Sequence, residues 1–152
     1  MPKRHTLAAV AAVALLAAGC GGRREDGISV SDAWVRMPAV KGQPGAAYFK
    51  IEGGAEGAQL LGISSPLASR IELHESMEQG GMSNMKRLRQ VDFDYQGKLA
   101  FEPGGKHAMV FGLKPQVQPG TRLPLTFAFN AAPPVTVDAE VRDAAGESHA
   151  GH

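Results

Sequence analysis

The stretch Arg122-Leu123-Pro124-Leu125-Thr126-Phe127-Ala128-Phe129-Asn130 places a large apolar residue at every second position. Side chains on a strand alternate between faces, so Leu123, Leu125, Phe127 and Phe129 share one. That is a strand with one side against a core. Working outward, similar short runs occur at 29–36, 46–52, 58–63, 69–75, 85–93, 98–102, 107–113 and 135–142. Turn residues separate them: Gly53-Gly54, Gly80-Gly81, Gln96-Gly97, Pro119-Gly120 and Pro133-Pro134 are examples. Short strands punctuated in this way predict an all-β sandwich or barrel. No stretch carries helix-length 3.6-residue periodicity. Trp34, Phe49, Phe101, Phe111, Phe127 and Phe129 are the large aromatic residues expected in or near the core.

The two ends of the chain read differently. Lys3, Arg4 and His5 precede an uncharged apolar run from Leu7 to Ala18. That run is shorter than the ~20 residues a membrane-spanning helix needs. With small residues behind it, it reads as a secretory signal peptide over 1–19. Cys20, the only cysteine, ends Leu16-Ala17-Ala18-Gly19-Cys20, which resembles a bacterial lipobox with Ala17 where Leu is commonest. Cys20 is therefore the expected lipidation site, holding the protein to a membrane of the cell envelope through buried acyl chains. Gly21 in place of Asp favours the outer membrane. Residues 20–27 form a polar, Gly-rich tether, 28–142 a single domain, and 143–152 a tail. Sixteen basic against fifteen acidic residues leave no surplus for nucleic acid. No Ser–His–acid arrangement, carboxylate pair or nucleotide-binding glycine pattern points to an enzyme.

Chemistry concentrates in 74–109, which holds His74, Met77, Met82, Met85, His107 and Met109. On strand 69–75, Glu72 and His74 lie opposite to Ile71 and Leu73. On strand 107–113, His107 and Met109 share a face, ~6.5–7 Å apart along the backbone, and can converge on one ion. Folding the chain back at Gly80-Gly81 brings His74 and Met85 towards that pair. Two imidazoles and two thioethers are soft, neutral donors that suit Cu(I). A two-thioether zinc site would be unusual, and a blue-copper centre needs a cysteine thiolate that the domain lacks. Met77 and Met82 are left as accessory ligands, a relay, or residues packed beside the site. His149 and His152 in the tail offer imidazoles suited to Cu(II).

The spacing His74-x10-Met85-x21-His107-x-Met109 resembles the H-x10-M-x21-H-x-M signature of the periplasmic PCu(A)C-type copper chaperones. Val30-Ser31-Asp32-Ala33-Trp34-Val35-Arg36, Ala46-Ala47-Tyr48-Phe49, His107 to Leu113 and Leu123 to Phe127 are similar to strands of that family. The resemblance implies a cupredoxin-like β-sandwich binding one Cu(I). It further implies delivery of copper to the dinuclear centre of cytochrome c oxidase subunit II, alongside a Sco-type thiol protein. Family members are commonly soluble in the periplasm, whereas the lipobox implies a tethered one. Copper sequestration uses the same ligands and stays open, as does a metal-free envelope sandwich.

Overall fold

The computed structural model describes residues 27–94 and 96–146. The signal peptide, Cys20 and its tether up to residue 26, and the tail histidines His149 and His152 lie outside the described residues. Ten strands form: β1 (Ser29–Arg36), β2 (Gly45–Glu52), β3 (Gln59–Ser64), β4 (Arg70–Gln79), β5 (Met82–Leu88), β6 (Val91–Asp92), β7 (Lys98–Phe101), β8 (Lys106–Phe111), β9 (Arg122–Phe129) and β10 (Val135–Arg142). The run expected at 85–93 divides into β5 and β6. β4 continues four residues past its expected end, to Gln79. Gly80 and Gly81 both take positive φ, 62° and 77°. They close a two-residue hairpin turn, a geometry that requires left-handed backbone.

Hydrogen bonds join the strands in the order β5-β4-β8-β2-β1-β10-β9-β3-β6, with β7 also on β2. In that order, β2 and β9 are three strand steps apart, ~14 Å on a flat sheet. Yet Phe49 of β2 and Phe127 of β9 meet edge to face, with ring centroids 4.8 Å apart. The sheet therefore folds over and packs its two halves face to face, which makes the expected β-sandwich. Phe101 stacks on Phe49 at 4.4 Å. Phe127, Leu123 and Leu125 are fully buried in the same core.

Two of the expected core aromatics lie elsewhere. Trp34 is only partly buried and faces outward, because β1 contains a bulge. Ser31 pairs with Lys50 and Trp34 with Tyr48, so one extra residue sits between them. Asp32 absorbs it at φ 51°, the one non-glycine positive φ among the described residues. The bulge reverses the alternation: Val30 packs on the core before it and Val35 after it. Trp34 instead lies against Tyr48, ring centroids 4.6 Å apart, and under the Arg142 guanidinium at 4.5 Å. Phe111 shares the outward face of β8 with Met109 and His107. There it lies beneath Arg70 at 3.9 Å.

The Phe49 ring joins the two halves of the sandwich. Phe49→Ala is expected to destabilise the domain by about 3–5 kcal/mol, read as a lower urea midpoint at unchanged slope.

Candidate metal centre

Residues expected as ligands come from three adjacent strands, β5, β4 and β8. The β4–β8 ladder pairs His74 with His107, Glu72 with Met109 and Leu73 with Ala108. Leu73 and Ala108 are buried in the core, so His74, Glu72, His107 and Met109 all stand on the opposite, outer face. The β4–β5 ladder pairs Ser76 with Met85 and His74 with Arg87. Met85 therefore joins the same face. All four expected ligands share one side of the sheet.

The imidazoles are the ordered part. Their ring centroids are 6.0 Å apart and the planes differ by 25°. Two imidazoles on one ion, with ~2.0 Å metal–nitrogen bonds, can have centroids up to roughly 6.4 Å apart, so this separation is compatible with a shared ion. His74 Nε2 lies 3.2 Å from Glu72 Oε2. A carboxylate oxygen only accepts, so Nε2 carries the proton and the lone pair is on Nδ1. That Nδ1 is buried and has no hydrogen-bond partner, a costly state for a polar atom unless a ligand completes it. His107 Nδ1 lies 3.1 Å from the Gly105 carbonyl oxygen. The same logic puts the His107 proton on Nδ1 and its lone pair on Nε2. Both rings thus have a fixed tautomer and one free donor nitrogen, as metal-binding histidines do.

The thioethers are looser. Met85, His107 and Met109 line a hollow of about 250 Å³ with Ser76, Tyr48 and Arg36. Met85 is 58% exposed. His74 does not line this hollow, and Met85 sits two ladder positions beyond it. The imidazole pair is assembled in this structure, and closing both thioethers on one ion with it needs side-chain movement. Arg36 donates to the Tyr48 hydroxyl at 2.9 Å. Burial pushes the Tyr48 phenol above its ordinary pKa, with Arg36 pulling it back. Among the described residues, no group of three or more His, Cys, Asp and Glu side chains is placed to hold a metal ion. The donor set fits a soft ion, not a site of hard oxygen ligands.

Met77 and Met82 correct the expectation that they serve or pack beside this site. Met77 pairs with Asn84 and Met82 with Gln79, which sets both on the face opposite to His74. Glu72 is the neighbour of His74 whose contacts the sequence reading passed over. It accepts from His74, and also from Arg70 Nε at 3.0 Å, with Arg87 at 3.6 Å. The signal was present: Glu72 and His74, two apart on a strand, share a face.

The family model "Putative lipoprotein LpqE-like" matches residues 28–141. A relative from Leifsonia xyli subsp. xyli, described as "Putative lipoprotein Lxx21020", is 30% identical over 149 residues, covering 90% of this chain and 89% of its own. Among solved structures, the copper-bound PCuAC domain from PmoF2 superposes with a TM-score of 0.63 at 20% identity, over 76% of this chain and 92% of that one. The solution structure of apo-DR1885 from Deinococcus radiodurans gives 0.57 at 26% identity, over 94% of each chain. Its Cu(I) form gives 0.63 at 24% identity, over 81% of this chain and 83% of that one.

The hydrogen bond from His74, and then that from Arg70, hold the Glu72 carboxyl below its ordinary pKa. A lowered folded-state pKa adds stability above the unfolded-state value, and that stability is lost as pH falls through the folded one. Glu72→Gln is expected to remove this acid-sensitive step. Urea midpoints measured from about pH 7 down to about pH 3, across the carboxylate range, should fall less steeply in the variant than in the wild type.

Proposed function

The chain belongs to the LpqE-like lipoprotein family and has the fold of PCuAC domains, and from that premise we propose that it is a copper chaperone of the cell envelope. It binds one Cu(I) through His74, Met85, His107 and Met109, and passes the ion on by ligand exchange. The observation that carries this reading is the buried, unpartnered Nδ1 of His74 across from His107. A pair of neutral nitrogens held open in this way, with thioethers on the same face, suits a soft monovalent cargo. The copper-bound forms of PmoF2 and DR1885 that share this fold point the same way.

The division of labour follows from burial. Glu72 and the Gly105 carbonyl orient the two imidazoles, which anchor the ion. Met85, at the exposed rim, is the ligand an acceptor displaces first; Met109 follows. A thioether has no proton to lose and forms no disulfide, so the donor set is not lost to thiol pairing in an oxidising compartment. The acceptor in this reading is the dinuclear copper centre of cytochrome c oxidase subunit II, with a Sco-type thiol protein acting alongside. Acylation at Cys20 tethers the chaperone to the membrane, and Gly21 favours the outer one. The reaction is transfer of an ion between ligand sets, so no bond of a substrate is made or broken and the protein is not an enzyme.

Cu(I) titration of the chain against a competing chelator tests the site. Loss of an outer-sphere partner of a metal ligand costs about 10–100-fold in affinity. His107→Ala and Met109→Ala, which remove ligands, are expected to lose at least that much. Equal, tight binding by all forms would refute the assignment. A deletion strain tests the role. Oxidase assembly should fail at low copper and recover when copper is supplied. Copper sensitivity with intact oxidase assembly would instead favour sequestration.

A further inference from the structure

β8 pairs with β4 only as far as Glu75. Beyond it, Ser76 to Gln79 and Met82 to Met85 continue as a two-stranded ribbon without a third strand. Five large hydrophobic side chains are conspicuously exposed among the described residues, and three of them belong to this ribbon: Met77 at 41%, Met82 at 69% and Met85. Burial cannot explain them, since each leaves apolar surface in water. Met85 belongs to the site above. Met77 and Met82 do not, because their ladder partners set them on the other face.

On that other face, the two methionines are diagonal neighbours. Met77 stands opposite Asn84, and Met82 lies two residues before Asn84 on the same strand. Such diagonal positions are ~7–8 Å apart, a gap that two long, flexible thioether side chains close easily. Gln79 and Asn84 bring neutral amides to this face, and Lys86 stands on it opposite Glu75. Glu75, on the same face, is engaged by Lys106 at 3.0 Å. No free carboxylate stands between the sulfurs to attract a hard divalent ion. β5 ends the order of the sheet, so this face of the ribbon is bordered by an open edge.

We propose that Met77 and Met82 form a second, weaker binding site for a soft monovalent metal ion, on the opposite face of the ribbon from His74 and Met85. The site stands on ribbon geometry and donor chemistry, independently of the four-ligand site. Two thioethers without an imidazole hold the ion less tightly than the first set.

The test is titration of the mature chain with its Cys20 thiol blocked, labelled at the methionine methyl carbons, with Ag(I) as a redox-inert soft ion, followed by NMR. The first equivalent is expected to shift Met85 and Met109, and the second Met77 and Met82. Met77→Leu/Met82→Leu, which preserves size and apolar character, should lose the second equivalent and keep the first. In His107→Ala/Met109→Ala, the Met77 and Met82 shifts should persist, which would uphold this site even if the four-ligand assignment failed. Methyls of Met77 and Met82 that stay still through two equivalents would overturn the proposal. So would a second equivalent that binds the double leucine variant unchanged, or all four methyls moving together on the first.

Discussion

The register of β4 against β8 is the constraint on which the molecule depends. One ladder sets Leu73 opposite Ala108 and Ile71 opposite Val110 on its inner side, and His74 opposite His107 on its outer side. A slip of one residue in β4 would exchange the two sides of that strand. It would turn His74 into the core, away from His107, and put Ile71 and Leu73 into water. A buried Leu or Val side chain alone is worth about 1.5–3 kcal/mol. The hydrophobic faces therefore hold the imidazoles in place before any ligand arrives. Glu72 and the Gly105 carbonyl add only the final orientation of the rings.

Burial grades the donor atoms across the patch. His107 is 8% exposed, Met109 is partly covered, and Met85 stands largely in water. The nitrogens are fixed by hydrogen bonds, while the sulfurs make no hydrogen bond that would fix them. Because every donor is neutral, this gradient exists without the desolvation cost that a buried carboxylate or thiolate would bring. Rigid groups lie inward and adaptable ones at the rim.

Much of this could be read in the amino-acid sequence, and the failures have physical causes. Alternation located β8 and β9 closely, because each has one face in the core and the other outside. The same rule placed His107 with Met109, and His74 away from Leu73. It failed for Trp34 because alternation has no memory across a bulge, and no glycine marks the positive φ at Asp32. It failed for the β4–β5 ribbon because no core lies behind residues 76–85. With nothing to bury, Ser76, Glu78, Ser83 and Asn84 show no apolar period. Phe111 was misplaced for a simpler reason: an aromatic ring can be covered by a guanidinium as well as by a core. Glu72 was seen on the right face, but its bond to His74 depends on rotamers, which sequence spacing does not contain.

The Gly80-Gly81 turn carries a consequence for how this chain can change over generations. Since the turn takes only two residues, the ten residues between His74 and Met85 are a count of rungs in the hairpin. Inserting or deleting a single residue there shifts the count by one and moves Met85 to the wrong side. Changes in matched pairs, one residue on each arm, preserve both the side and the spacing from His74 and alter only how far the turn lies from the site. Length variation in this hairpin is thus restricted to even steps, a grammar imposed by the pleat of the backbone itself.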